Sequence, residues 1–384
     1  MFQHRRNGHS DEATAGSPEV ARWGLLAVLS LAQLMVILDI SAVNVALPDL
    51  AKDLRIGHEN LSWTITSYSL IFGSLLLLGG RAADLLGRRR VFLTGLGVFT
   101  VASVGSALAG SAAVLFAARA GQGLGAALLS PAALSIITTQ FKGRERARAL
   151  GVWGAVGGAG AAVGVLLGGL LTQLIDWRAI FFINLPIGLI VAAGAVHVVP
   201  ADVVRPRWRQ LDLRGAVLAM ASFGALVFAL SQAQSAGWTS TQTLGLSAAG
   251  LAGLVVFGFS QRRVSLPLLR VQRLADRAIG GGFVLMLAAT AVLFGSFLLC
   301  SLYLQQVLGA SALATGLAFL PFALALGAGV HAGTHVVSQR GVRAPLAGGF
   351  AIAAAGMFLL TGVSDHGSYI ADLLPGMLIA GIGL

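Results

Sequence analysis

The 384 residues are 56% hydrophobic and only 11% charged, with 51 glycines and a mean hydropathy of +0.84, which excludes an ordinary soluble domain. The formal net charge of +11 does not mark a nucleic-acid binder, because the cations alternate from loop to loop instead of gathering in one patch. The single cysteine, Cys300, excludes an intramolecular disulfide.

A bilayer core about 30 Å thick takes roughly 20 apolar residues per helix. Twelve stretches fit this pattern, approximately residues 24–47, 61–79, 91–110, 112–138, 147–173, 179–199, 214–233, 243–260, 278–303, 312–332, 344–363 and 370–384. The expected fold is an all-α polytopic membrane protein with twelve transmembrane helices present.

Residues 1–22 read as a short polar tail. The first apolar stretch is too long for a signal-peptide core and more membrane segments follow it, so it reads as a retained helix. It carries Asp39, the only acidic residue well inside an apolar stretch. A charge near the bilayer centre costs about 2.5 to 3.5 kcal/mol on insertion scales, which makes such a residue a functional candidate. Burial disfavours its carboxylate and a nearby cation favours it, a balance that suits a reversible proton carrier. The structural alternative is an aspartate hydrogen-bonded to a neighbouring helix.

Between the second and third stretches stands Gly80-Arg81-Ala82-Ala83-Asp84-Leu85-Leu86-Gly87-Arg88-Arg89-Arg90, one acid and four arginines in a loop expected to join two membrane helices. The fourth stretch holds Arg119, the only basic residue inside a helix, with Gln122 three residues on and on the same face. At about 1.5 Å per residue, Asp39 lies roughly 12 Å before the end of its helix near Leu47, and Arg119 roughly 12 Å after the start of its own near Ser111. The two share a depth in the outer half of the membrane. The alternative for Arg119 is that it snorkels or caps a helix end.

The fifth stretch contains Gly151, Gly160, Gly164, Gly168 and Gly169. Residues 160, 164 and 168 share one face, and small residues four apart permit close helix approach. Gly158 to Val163 is too incomplete for a dinucleotide fingerprint and no strand precedes it. Lys52 and Lys142 follow Ala51 and Phe141, so neither belongs to a Walker motif. An ion gradient is therefore the expected energy source, with no cofactor. His331 and His335, four apart without a third ligand, read as interfacial histidines, and no metal is expected.

The stretch Gly333 to Arg343 looks like a worn copy of Gly80 to Arg90, with Val337 where Asp84 stands. An internal repeat then divides the chain into a tail (1–22), a six-helix N-terminal bundle (23–200), a linker with two inserted helices (201–277) and a partial C-terminal bundle (278–384). The chain stops inside an apolar stretch at Leu384, so a truncated second half is the expectation. The alternative is a twelve-helix protein that ends at the membrane surface.

The tail and five alternate loops hold 22 of the 26 Lys and Arg residues, the opposite loops hold only Lys52, Arg55 and Arg178, and Arg119 is intramembrane. This asymmetry puts the N-terminus in the cytoplasm. It makes anionic membrane lipids the expected partner of the basic loops.

Several of these stretches match one pattern. Gly80 to Arg90 resembles the loop between helices 2 and 3 of the major facilitator superfamily. Leu38 to Pro48 is similar to the helix 1 signature of its fourteen-helix drug/proton antiporter branch, the EmrB/QacA type. Arg119 to Gly125 is similar to the family's helix 4 motif, and Gly151 to Gly169 resembles its helix 5 antiporter motif. Asp176-Trp177-Arg178, Phe181 to Gly188 and Tyr303 to Gly309 are also familiar in that branch. Val165 stands where the antiporter motif usually has proline, Leu85 replaces an arginine, and the last two of fourteen helices are missing.

The resemblance implies two halves that rock around a central site in the bacterial cytoplasmic membrane, protons entering as a small lipophilic drug, antibiotic or dye leaves. Asp39 would be the proton- or substrate-coupled acid, tuned by Arg119, with Asn44 and Gln122 completing the coupling group. Gly80, Asp84, Gly87, Arg88 and Arg89 would form a cytoplasmic latch. The helix 5 glycines would pack against the second half. Val165 is the argument for a metabolite/proton symporter, and the missing helices for a non-transporting remnant. An enzyme is not expected, because no buried His, Glu or second Asp joins Asp39 and Arg119 in a catalytic set. Oligomeric state is left open.

Overall fold

The computed structural model describes residues 18–203, 206–364 and 367–384, and among them every regular element is helical. The long helices are α1 (Pro18–Asp53), α2 (Trp63–Leu86), α3 (Arg88–Ala107), α4 (Ala112–Gln140), α5 (Gly143–Leu174) and α6 (Asn184–Val198). They continue with α7 (Leu213–Ala236), α8 (Thr241–Gln261), α9 (Arg277–Leu302), α10 (Ala312–Arg340), α11 (Arg343–Leu360) and α12 (Leu374–Gly383). Every apolar stretch expected from the sequence is occupied by one of them. Several start on residues whose side chains accept from the first turn, among them Ser111, Asp212, Ser240, Asp276 and Ser311, as free N–H groups at a helix start require.

Ten helices among the described residues are long and apolar enough to cross a membrane, against the twelve expected. The other two stretches are occupied by α5, which is 32 residues long, and by the shorter segment Tyr369–Gly383. The chain is a multi-pass membrane protein.

Three boundaries differ from expectation. α1 begins at Pro18, so residues 18–22 of the expected tail are helical; proline suits a first helical position, where no N–H is needed. Residues 1–17 lie outside the described part. Gly80 to Leu86 is not loop but the last turns of α2, and α3 starts at Arg88. The whole connection is Gly87, at φ +107°. Likewise α10 runs through the expected loop to Arg340, and Gly341 turns the chain at φ +76°. Both stretches are therefore tight corners in which one glycine takes a backbone conformation that a side chain disfavours.

Helices α2 and α3 pack along α4, and α1 lies against α5 and α6. One apolar core joins α1, α2, α3, α4 and α6 through Leu29, Tyr68, Phe92, Phe99, Ile137 and Val191. A second lies towards the opposite end around Leu50, Leu115, Trp177 and Phe181. Helices α7 and α8 pair with each other, and α7 leans on α2. The later helices meet α5 through α10 and are joined around Phe319, Phe322 and Met377. α9 exposes Phe283, Met286 and Phe294, side chains at home in lipid.

The glycine face of α5 packs against α1, not against the second half as the resemblance implies. A Cβ at Gly160 would press on Leu34 and Ile37, at Gly164 on Ser41 and Leu38, and at Gly168 on the backbone of Ala42. These contacts lie one turn on either side of Asp39. The face of α5 around Val165 and Leu166 is the one that meets Gly316 of α10. Gly151 has open space around it and takes no part in the seam.

Candidate functional site

Four helices converge on one buried polar cluster. Asp39 comes from α1, Ser103 and Ser106 from α3, Arg119 and Gln122 from α4, and Asn184 from the start of α6; none is more than 1% exposed. Arg119 Nη1 donates to Asp39 Oδ2 at 2.5 Å and to Gln122 Oε1 at 3.0 Å. Its Nε donates to the carbonyl oxygen of Thr64 in α2 at 3.0 Å. The guanidinium also lies 4.5 Å from the centre of the Tyr68 ring, which favours a cation electrostatically.

The other oxygen of Asp39 is held by neutral donors. Gln122 Nε2 donates to Oδ1 at 2.7 Å and Asn184 Nδ2 at 3.2 Å. Asn184 Nδ2 also reaches Ser103 Oγ at 2.8 Å, and Ser103 donates onward to the carbonyl oxygen of Phe181. Ser106 donates to Gln122 Oε1 at 2.8 Å.

Glycine makes this convergence possible. A Cβ at Gly123 would lie 2.5 Å from the carbonyl oxygen of Tyr68, and one at Gly125 would run into the backbone of Phe99. Gly123 and Gly125 of the stretch Arg119 to Gly125 let α2 and α3 close on α4. That approach brings the Thr64 carbonyl within reach of Arg119.

A buried ion pair inside a low-dielectric bundle is costly unless hydrogen bonds meet its remaining polar edges. Besides Asp39, Arg119 has two neutral acceptors, Gln122 Oε1 and the Thr64 carbonyl. Three polar atoms close by have no partner: Asn184 Oδ1, Thr64 Oγ1 and the Tyr68 hydroxyl.

Asp39, Arg119 and Gln122, chosen from the sequence, are brought together. Asn44 is not: its side chain is exposed and donates to Ile40 of its own helix. Asn184, Ser103, Ser106 and Thr64 were not assigned a role from the sequence. Asn184 lies within Phe181 to Gly188, noted only as a familiar stretch. The signal for the serines was their i, i+3 spacing in an otherwise apolar helix, which aligns two hydroxyls on one face.

The expected latch is built differently. Asp84 and Arg88 lie 3.8 Å apart, and both side chains are well exposed. Arg89 points to the end of α6, donating to the carbonyl oxygens of Val196 and Val199 at 2.7 and 3.0 Å. The carboxylate that grips this corner is Asp202, which accepts from the backbone N–H of Arg89 at 3.1 Å and of Arg90 at 2.9 Å. It caps α3 from another part of the chain, where a helix favours an anion. Asp202 sits so close beneath Gly87 that a Cβ there would overlap its side chain. Gly80 meets nothing nearer than Pro131.

Residues 29–384 match the family described as Major Facilitator Superfamily. The chain is 41% identical over 382 residues to the puromycin resistance protein pur8 of Streptomyces alboniger, an alignment covering 97% of this chain and 75% of that protein. It is 39% identical over 356 residues to the cephamycin export protein CmcT of Amycolatopsis lactamdurans, covering 92% and 73%. It is 35% identical over 351 residues to the multidrug resistance protein Stp of Mycobacterium tuberculosis, covering 91% of this chain and 65% of that protein. The chain thus spans about two thirds to three quarters of the length of these relatives.

Proposed function

We propose that this chain, which belongs to the major facilitator superfamily, exports lipophilic antibiotics or other drugs across the bacterial cytoplasmic membrane in exchange for protons. The observation that carries the reading is the Asp39–Arg119 pair, a carboxylate buried within membrane-spanning helices and held by one cation and two neutral donors, Gln122 and Asn184. The relatives named for puromycin resistance and cephamycin export support the direction and the substrate class. In this reading the chain sits in the fourteen-helix EmrB/QacA branch and works without a cofactor.

In the proposed cycle Asp39 takes a proton from outside and gives it up inside, while the bundle of residues 23–200 rocks against that of residues 278–384. Gln122 and Asn184 hold the carboxylate in register with Arg119. The Gly87 corner, tied by Asp202, transmits movement between α2, α3 and the end of α6. Residues 201–277 carry the two inserted helices.

Inside-out membrane vesicles test this. With a respiratory proton gradient, they should accumulate puromycin or a lipophilic cationic dye, lose it on adding a protonophore, and fail to accumulate it with Asp39→Asn. Accumulation that ignores the protonophore, or that is undiminished in Asp39→Asn, removes the proton-coupled mechanism. Proton-driven flux in the opposite direction turns the reading to symport.

A further inference from the structure

A groove of about 690 Å³ opens between the start of α7 and the end of α8. Its polar end carries Arg214, Arg262 and Arg263, all exposed, and its apolar wall is formed by Leu218, Val256 and Phe259. Among the described residues no carboxylate forms a salt bridge with any of the three guanidinium groups. Arg262 instead lies 5.3 Å from the centre of the Phe259 ring, at the boundary between the two ends. All three arginines belong to the side that the cation asymmetry assigns to the cytoplasm.

The groove is braced from beneath. Gln261, 2% exposed, donates to Asp212 Oδ2 at 2.6 Å and accepts from the backbone N–H of Leu268 at 2.7 Å. Asp212 Oδ1 accepts from the N–H of Gly215 at 2.8 Å and so caps α7. The one carboxylate in the groove is therefore committed to the scaffold. It fixes the end of α8 against the start of α7, and with them the spacing of the arginines.

We infer that this groove binds one anionic phospholipid of the cytoplasmic leaflet, its phosphate against Arg214, Arg262 and Arg263 and an acyl chain along Leu218, Val256 and Phe259. Charge complementarity and depth both select this occupant. The unpaired cations stand at headgroup level, and the apolar wall runs from them along two lipid-exposed helices, where Val256 and Phe259 are 55% and 60% exposed. A free phosphate would use the arginines but leave the apolar wall wet. The inserted helix pair becomes a lipid-anchored element leaning on α2. This inference needs only the membrane topology and does not depend on drug export.

The test is native mass spectrometry of the purified full chain in detergent, offered phosphatidylglycerol or phosphatidylcholine with identical acyl chains. Wild type is expected to retain one phosphatidylglycerol per chain under conditions that strip phosphatidylcholine. Each cation near an anionic surface contributes about fivefold in partitioning, so Arg214→Gln/Arg262→Gln/Arg263→Gln should lower retention at least about tenfold. Arg144→Gln/Arg146→Gln/Arg148→Gln removes the same charge from another exposed site and should retain the lipid. Val256→Trp, which fills the groove and keeps the charge, should also lower retention. Undiminished retention in the groove triple variant, or equal loss in both triples, overturns the site. Full retention in Val256→Trp overturns the seated acyl chain, and displacement of the lipid by inorganic phosphate alone overturns a phospholipid as the occupant.

Discussion

Arg119 meets Asp39 across 80 residues of sequence, with its Nε turned to the neutral carbonyl oxygen of Thr64 and its Nη1 shared with Gln122 Oε1. The two ends of this pair are supported alike. Each is the other's charged partner, and neutral groups complete both, Gln122 and Thr64 for Arg119 and Gln122 and Asn184 for Asp39.

Breaking the pair from either end should therefore be costly. Arg119→Ala leaves an uncompensated buried carboxylate and should cost about 3 to 5 kcal/mol, read as a large fall in thermal stability in detergent. Asp39→Asn leaves the buried Arg119 cation without its counter-charge and should cost a comparable amount while losing drug flux. Melting of either variant close to wild type would mean that the neutral partners alone hold the remaining charge.

Asn184 gives a second prediction. Asn184→Leu removes a donor to Asp39 and to Ser103 at a fully buried site and should cost about 1 to 3 kcal/mol. Asn184→Asp sets a second carboxylate beside Asp39 and should be worse, by the cost of a like charge at close range. Thermal melting ranks the variants, and vesicle transport should fall in the same order.

The corner at Gly87 gives a third. Asp202→Ala removes the cap of α3 and should cost about 0.5 to 2 kcal/mol. Gly87→Ala should cost more, because it forces a side chain into positive φ and into Asp202. In the double variant the steric part disappears and the backbone part remains, so the two effects should be less than additive. Melting of the single and double variants measures the coupling.

Arg88 and Arg89 should separate sharply. Arg88 pairs with Asp84 in the open, an interaction worth about 0 to 1 kcal/mol, and Arg88→Gln should hardly change stability. Arg89→Gln gives up two carbonyl acceptors at the end of α6. Proteolysis between α6 and α7 should accelerate in Arg89→Gln and not in Arg88→Gln.

The α5 glycines divide in the same way. Gly164→Leu drives a side chain into Ser41 and Leu38 and should displace α1, lowering both yield and melting temperature. Gly151→Ala has open space and should gain about 0.5 to 1 kcal/mol from a less flexible unfolded chain. A destabilised Gly151→Ala would place that residue in a contact of its own.

Much of the molecule was legible from local pattern. Each apolar stretch became a helix, and a lone acid and a lone base at matching depth were enough to single out Asp39 and Arg119. Both signals are strong because a charge in hydrocarbon is costly and therefore rare. Asn184, Ser103 and Ser106 carry no charge, and neutral polar residues recur along the chain, so they stand out from no background. Asn44 stands in the same stretch as Asp39 but on another face of the helix.

The sequence by itself determined that this is a many-helix membrane protein, which side holds its arginines, and which two charges lie inside it, because hydropathy and charge bias are properties of single segments. Only the tertiary structure decided which faces meet. The α5 glycines lie against α1, Asp202 caps α3 from beyond α6, and Asn184 completes the carboxylate's cage. Each joins residues far apart in the chain, where close packing of several helices sets the partner and no local period encodes it.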